Sequence, residues 1–453
     1  MANHEGLAKL GETVDRHHSG APARPRRGRS RGSKVKRRVG FSLLAVVLAV
    51  VLVAGGSWWY LNYRFDQLPK VACTTCVGVK PGYINILEIG SDSRAGLVGA
   101  LGRQAGQVTG QRSDSLKIIH IDTVHDTVAT LSIPRDTLVR ILDPSLGAGT
   151  YNRINVNYSQ GPGLIVDTIE KNFGIPINYV VQVSFAGLID VADALGGVWL
   201  NFKYPAHDAW SGLVVPHAGC QLIKGFQALA VVRSRHYYYN VKGLSYWPPN
   251  YANLTFAQLA QYGWIYDGLS DWSRIQRQDA FVKALINAGE GAYNPFTINN
   301  VLANIPKGIT LDKNLSLTTL VGLAWTFRHF HASNLTSFTL PDYPIQTGLG
   351  DVLVPEQPQA QQMIVSIFGN QVAPVSAADA PPGSNMQPNP PPYVAVGSVK
   401  PAWSLVTTTT APTKHSHSST TTVPVTTTTT NPNAQLVATE TQATFNPTPC
   451  QPK

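Results

Sequence analysis

From Val39 to Leu61 the chain reads VGFSLLAVVLAVVLVAGGSWWYL, 23 residues without a charge. A helix of that length can cross a hydrocarbon core of roughly 30 Å. The run therefore predicts one transmembrane helix over residues 39–61, which divides the chain between two compartments. Trp58, Trp59 and Tyr60 stand at its far end, where aromatic rings favour the membrane interface. Residues 1–38 hold eleven Lys and Arg against three acids and show no apolar periodicity, which predicts a disordered basic segment. The positive-inside bias places that segment in the cytoplasm and everything after Leu61 outside, in a single-pass plasma-membrane protein. A cleaved signal peptide is the competing reading, with Ala54 and Gly56 offering small residues near a cleavage site. The length of the run and its aromatic end favour the uncleaved anchor.

The formal net charge of +10 comes almost wholly from that basic segment, so the remainder is close to neutral. This excludes a basic nucleic-acid-binding domain. With 43% hydrophobic and 14% charged residues, the chain can build a sizeable core. Four cysteines are too few for a disulfide-framework miniprotein or a zinc array. Cys73 and Cys76 lie in a predicted stalk, residues 62–80, outside the membrane. A local disulfide is favoured there over a redox dithiol or a metal site. Whether Cys220 pairs with Cys450 is left open. From 371 to 453 Pro clusters lead into Thr407–Thr410, Thr420–Thr422 and Thr426–Thr430, a composition that predicts a disordered, extended tail.

Between them, residues 81–370 alternate strand-like and helix-like segments. Tyr83–Gly90, Leu116–Asp122 and Thr127–Ile133 read as buried strands, and Gly163–Phe173 as a helix stopped by Gly174. FAGLIDVADAL follows a Ser184 N-cap and ends at Gly196-Gly197. The alternation predicts an α/β domain, a sheet covered by helices.

Acids and arginines gather where these segments end: Asp92 and Arg94 after the first strand, Arg112 and Asp114 before the second, Arg135 and Asp136 after the third. Arg233 and Arg235 follow the apolar run Ala228–Val232 and would share a side if that run is a strand that continues through them. A helix over Arg274–Ala288, with Asp271 or Ser273 near its start, has an apolar arc of roughly 200°. Arg274, Arg277 and Gln278 fall inside that arc. Two arginines facing a core need a countercharge. An anion site is favoured over an internal network with Asp92, Asp114 or Asp136, because the arginines outnumber those acids. Arginine forks with two or more carboxylates suit pyrophosphate plus a divalent metal. No HExxH, GxSxG or P-loop spacing is present.

Taken together, GSDSR, RSDSL, SIPRD, the RSR after ALAVV, and DWSRIQRQ resemble the LytR–CpsA–Psr family of envelope phosphotransferases, over roughly residues 81–370 and in family order. The resemblance implies a three-layer α/β/α domain with a central mixed sheet and an apolar pocket for a polyprenyl lipid. It also implies transfer of a glycopolymer from a polyprenyl-pyrophosphate carrier to a peptidoglycan acceptor. By motif, Asp92 and Asp114 would hold Mg²⁺ (or Mn²⁺). Arg94, Arg112, Arg135, Arg233, Arg235, Arg274 and Arg277 would surround the pyrophosphate, with Gln278 and Asp271 helping to position them. Asp92, Asp114, Arg135, Arg274 and Arg277 would carry the catalysis. Asp114 is also the guess for a base, although a metal ligand cannot freely serve as one. RSDSLK departs from the family's usual Thr, but Ser115 keeps the hydroxyl. An aromatic insertion over 236–270 departs further; sugar or lipid contacts and ordinary packing are equally open for it. Arg153 and Asn155 either line the site or serve the fold. The rival functions are a polyprenyl-pyrophosphate hydrolase and a non-catalytic lipid or cell-wall scaffold. A transcriptional regulator is opposed by the small cytoplasmic segment.

Overall fold

The computed structural model describes residues 51–91, 113–289, 308–327, 329–375 and 445–451, with the backbone alone at 114, 185, 186, 270, 271 and 333. Contacts divide the chain after Tyr60. In the first unit residues 51–60 are helical, and Val51, Leu52, Val53 and Trp59 are largely exposed. Among the described residues no helix is long and apolar enough to cross a membrane. The basic segment 1–38 and residues 39–50 of the expected span lie outside the described residues.

The second unit begins with strands β1 (Lys70–Val71), β2 (Tyr83–Ser91), β3 (Ser113–Asp122) and β4 (Thr127–Ile133). A hairpin, β5 (Leu138–Arg140) and β6 (Tyr151–Arg153), precedes helix α1 (Pro162–Phe173), strand β7 (Tyr179–Ser184) and helix α2 (Phe185–Ala194). Then come β8 (Val198–Phe202), β9 (Ala206–Asp208), β10 (Leu213–Val215), β11 (Gly219–Ile223) and helix α3 (Gly225–Arg233). The aromatic insertion forms β12 (Tyr238–Asn240), α4 (Phe256–Gln261) and β13 (Trp264–Tyr266), and the long helix α5 (Ser270–Gly289) comes after it. Next are β14 (Ile309–Asp312), α6 (Leu317–Thr326), β15 (Leu335–Thr339), the hairpin β16 (Asp342–Thr347) and β17 (Gly350–Pro355), and α7 (Gln359–Phe368). Near the C-terminus lies β18 (Thr448–Pro449).

Seven strands build the central sheet in the order β1-β14-β7-β2-β3-β4-β15. It is mixed: β2 pairs parallel with β7 and antiparallel with β3, and β15 pairs parallel with β4. Side chains alternate across the pleat, so each strand serves two cores. Leu87 and Ile89 of β2 with Leu116 and Ile118 of β3 meet Ile165, Ile169 and Phe173 of α1 and Ile364 and Ile367 of α7 on one face. On the other, Ile84, Ile86, Ile119 and Ile121 meet Leu323 of α6 and Phe327 just beyond it. Helices thus cover both faces. Helix α1 ends where expected because Gly174, at φ 71°, adopts the left-handed conformation and its N–H returns to the Glu170 carbonyl. Ser184 caps α2, its hydroxyl accepting from the Gly187 N–H at 3.3 Å.

Two expectations need correction. Ala228–Val232 is the interior of helix α3, not a strand, because its small apolar residues pack all round against α2, α5 and β10 in a second core. The expected disordered tail also has a folded end. Phe445 packs into that core, β18 extends the sheet of β11 and β8, and Cys450 is bonded to Cys220. The rest of the tail, 376–444, lies outside the described residues. In the aromatic insertion, packing accounts for several rings. Trp247 stacks on Trp264 at 4.7 Å and on Tyr251 at 4.8 Å, and Trp264 is 2% exposed.

His120 of β3 lies 1% exposed between Tyr83 and Phe368, and its Nδ1 meets the Asn85 Oδ1 at 2.7 Å. The Asn85 amide nitrogen donates to the Pro176 carbonyl, which leaves the oxygen as acceptor and makes Nδ1 the donor. Burial pushes the His120 pKa down to about 4, against the upward pull of Asp122. The unfolded imidazole takes up a proton near the ordinary value of ~6.5, so folding stability should be full above that pH. It should fall as the pH drops towards the folded value of about 4. Urea unfolding at pH 7 and pH 5 checks this: the midpoint should drop, and His120→Gln should flatten the slope. Equal slopes in the two proteins would exclude His120 as the cause.

Candidate functional site

A cavity of about 220 Å³ opens beside the C-terminal end of β2, where the strand pair β2–β3 meets α2, α3 and α5. Its sheet floor is Glu88, Gly90 and Ser91 of β2 with Ser115 and Lys117 of β3. Gly90 and Ser115 are cross-strand partners, and a Cβ at Gly90 would occupy the place of the Ser115 hydroxyl, which would have to turn away. The walls are Val183, Ser184 and Leu188 on one side and Val232, Arg233 and Arg235 at the end of α3. Arg274, Gln278, Phe281 and Val282 of α5 complete it.

The arginines come from two helix ends held in register by their neighbours. Gln278 donates from Nε2 to the Val232 carbonyl at 3.1 Å, tying α5 to α3. The turn after α3 is wrapped around the buried carboxylate of Asp208. That carboxylate accepts from the Ser234 hydroxyl at 2.6 Å and from the N–H groups of Arg235 and His236 at 3.0 Å each. Burial pushes the Asp208 pKa up, but the Ser234 hydroxyl and the N–H donors outweigh it and hold the group below its usual range. Arg233 and Arg235 reach the same cavity from a helix end and the turn after it, although not by strand alternation.

Arg135 borders a smaller recess that shares Ser115, Lys117, Arg274 and Gln278 with the main cavity. Its Nε meets Asp136 at 3.3 Å, and Arg153 meets the other oxygen of Asp136 at 3.3 Å. Arg153 also donates to the carbonyls of Leu349 and Asp351, and the Asn155 N–H holds the Arg135 carbonyl at 3.3 Å. Arg153 and Asn155 therefore serve the fold behind Arg135.

Arg277 departs from expectation. It is fully buried and is not among the residues lining the cavity. Its Nη1 donates to Asp267 at 3.1 Å and to the Asn446 Oδ1 at 2.6 Å, and its Nη2 donates to the Ser234 carbonyl at 2.7 Å. The guanidinium lies over the Tyr237 ring, 4.5 Å from its centroid. Burial pulls its pKa below the ordinary value, with Asp267 and Tyr237 opposing. The internal Arg–carboxylate network, disfavoured on the count of acids, is thus realised at Arg277, with Asp267 rather than Asp92, Asp114 or Asp136 as its acid.

Asp92, Arg94 and Arg112 lie outside the described residues. Asp114 and Asp271 are described by backbone alone. Asp114 is the extra residue of a β-bulge, since Gly90 pairs with Ser115 and Ser91 with Ser113. The pairing of Ser91 with Ser113 brings the residues next to Asp92 and Asp114 together, and two carboxylates form a donor set suited to a hard divalent cation. Among the described residues one acid–cysteine cluster has metal-ligand proximity, Cys73, Cys76 and Asp312. Its sulfurs are bonded to each other as the expected local disulfide and are not free to ligate.

Three charged residues were not singled out from the sequence. Lys117 forms a buried ion pair with Asp279 of α5, beside Glu88. Burial pushes the Glu88 pKa up, Lys117 draws it down, and Asp279 adds to the rise. The signal was available: Glu88 stands two residues before Gly90 and Lys117 two after Ser115, so both share their face of the sheet.

Removing a buried partner leaves an uncompensated charge, so Arg277→Ala should cost about 3–5 kcal/mol of stability. Arg235→Ala, at the cavity wall, should stay within ~1 kcal/mol of the parent. Denaturant unfolding of the two variants tests this division, and equal losses would contradict it.

Residues 69–240 match the model of the LytR_cpsA_psr family. A Bacillus cereus protein named polyisoprenyl-teichoic acid–peptidoglycan teichoic acid transferase TagU is 30% identical over 220 residues, covering 45% of this chain and 64% of that protein. A Corynebacterium glutamicum protein, "Probable cell wall biosynthesis protein LcpB", is 28% identical over 313 residues, covering 66% of this chain and 65% of that one. The matches thus span just under two thirds of the length of these relatives. Among solved structures, a LytR-Csp2A-Psr enzyme from Actinomyces oris is 21% identical with a TM-score of 0.49, over 66% of this chain and 94% of that one. Residues 69–240 thus form a domain similar to those of the LytR–CpsA–Psr family, and the relatives matched around it are similar to this chain over a longer stretch.

Proposed function

We propose that this chain is a membrane-anchored phosphotransferase that moves a glycopolymer from a polyprenyl-pyrophosphate carrier to peptidoglycan. The observation that carries the reading is one cavity lined by both arginines and apolar side chains. Gly90 and Ser115 form a polar end beside Arg233, Arg235 and Arg274. Val183, Leu188, Val232, Phe281 and Val282 line the same cavity with apolar side chains. An arginine-bearing cavity with apolar walls fits an anion carrying a hydrocarbon chain. The names of the relatives add to this: the Bacillus cereus protein is a polyisoprenyl-teichoic acid–peptidoglycan transferase.

In this reading Arg233, Arg235 and Arg274 bind the pyrophosphate oxygens and neutralise the charge that builds on the leaving group. Gln278 holds the arginine-bearing ends of α3 and α5 together. An acceptor hydroxyl of peptidoglycan attacks the phosphorus bonded to the sugar. The new O–P bond forms, the bond from that phosphorus to the bridging oxygen breaks, and that oxygen leaves on the second phosphorus as polyprenyl phosphate, the hydroxyl proton passing to solvent. A hard cation, Mg²⁺ or Mn²⁺, held by Asp92 and Asp114 would supply further charge neutralisation at these oxygens. Arg94 and Arg112 would join the same anion.

The membrane anchor rests on the charge-free run 39–61, the basic block before it and the exposed apolar residues at 51–53 and 58–60. Two disulfides, Cys73–Cys76 and Cys220–Cys450, support an oxidising compartment for the chain beyond Leu61.

The full chain in detergent, supplied with a polyprenyl-pyrophosphate-linked glycan, peptidoglycan and Mg²⁺, should attach glycan to the wall polymer and release polyprenyl phosphate in equal amounts. Arg235→Ala and Arg274→Ala should each lower turnover about 100-fold. Release without attachment would point to hydrolysis instead, and lipid binding without release to a scaffold.

A further inference from the structure

The tail end of the chain is built into the site's framework. We propose that residues 445–450 form a disulfide-sealed strap that positions α5 against the end of α3, with Asn446 as the positioning residue; its catalytic consequence rests on the transferase reading above.

Asn446 is 4% exposed and inserts its amide between the two arginine-bearing elements. Its oxygen accepts from Arg277, whose other terminal nitrogen holds the carbonyl of Ser234, the residue between Arg233 and Arg235. Its nitrogen donates to the Gln276 Oε1 at 2.9 Å and to the Ser273 carbonyl at 3.4 Å. One side chain therefore contacts residues 273, 276 and 277, which bracket Arg274, and through Arg277 reaches the turn that carries the other two arginines. The residues around it are seated independently. The Phe445 ring stacks on Tyr239 at 4.9 Å and an interplanar angle of 6°, and its carbonyl accepts from the Tyr237 hydroxyl. Thr448 and Pro449 pair with Asn201 and Leu200 of β8, and the Cys450 N–H donates to the Trp199 carbonyl at 3.1 Å.

The covalent seal explains how so short a segment keeps its place. Two bridge pairs and a few contacts are a small return for ordering a chain end. The Cys220–Cys450 bond joins positions 230 residues apart, so seating the segment closes a short local loop instead of a long one. A buried amide that both accepts from a guanidinium and donates to α5 is more than a cover for the core. It fixes the spacing on which the shared grip of Arg233, Arg235 and Arg274 depends.

The test compares full-length wild type with Cys450→Ser, Asn446→Ala and Asn446→Asp, which keeps an acceptor for Arg277. Hydrogen exchange at residues 234–236 and 273–278 should quicken about 10-fold in Cys450→Ser and Asn446→Ala, the scale of one lost charge-assisted hydrogen bond, and less in Asn446→Asp. Exchange in α1 and β4, in the other core, should stay at the wild-type level. Turnover per folded molecule should fall about 10-fold in the first two variants and recover partly in Asn446→Asp. Unchanged exchange at 234–236 and 273–278 would overturn the strap, as would equal acceleration throughout the protein, which marks a merely stabilising segment. A wild type with no transfer at all, yet with the local exchange response, would sink the transferase reading and leave the strap standing.

Discussion

A guanidinium taken wholly out of water must find its compensation in the protein, and the arrangement around Arg277 is organised by that demand. Its hydrogen-bond acceptors come from Asp267, the Ser234 carbonyl and Asn446, with the Tyr237 ring against its plane. These belong to the segment before α5, the turn after α3 and the far end of the chain. None can move without leaving a buried charge short of a partner. The arginines that line the cavity, Arg233, Arg235 and Arg274, are neighbours in sequence of Ser234 and Arg277, so the fully buried arginine sets the geometry of the cavity-lining ones.

The sheet supplies a second organising constraint. Because period-two alternation assigns each strand residue to one face, β2 and β3 turn leucines and isoleucines with the buried Asn85–His120 pair towards α1 and α7, and isoleucines packed under α6 followed by a polar end to the other side. On that second face Glu88 and the Lys117–Asp279 ion pair stand between the arginine end and the isoleucines, so fixed charge separates the cavity from the core under α6.

Most of the domain was legible from local pattern. The three strands and the helices after Gly161 and Ser184 fall within a few residues of expectation, because apolar runs and capping residues are local signals. The mixed α/β architecture followed from their alternation. Ala228–Val232 misled because a short apolar run of small residues serves a buried helix and a strand equally. At the site, the structure places Arg233, Arg235, Arg274 and Gln278 around one cavity, with Arg135 at its margin. Arg277 was not separable from Arg274 by periodicity, since both fall in the same arc. The difference lies in Asp267 and Asn446, and the latter is 169 positions away in sequence. A long-range partner leaves no periodic trace. Composition also hid the end of the tail, because seven ordered residues behind a Thr-rich stretch do not change its average.

The bond between Cys220 and Cys450 bears on where this chain can be cut. The boundary that composition suggests, near residue 370, would leave every strand of the central sheet intact and would pass as a complete domain. It would also leave Cys220 with a lone thiol, strip Phe445 from the faces of Tyr237 and Tyr239, and take one acceptor from Arg277. A shortened protein of that kind could keep its fold and still misreport the activity of the whole.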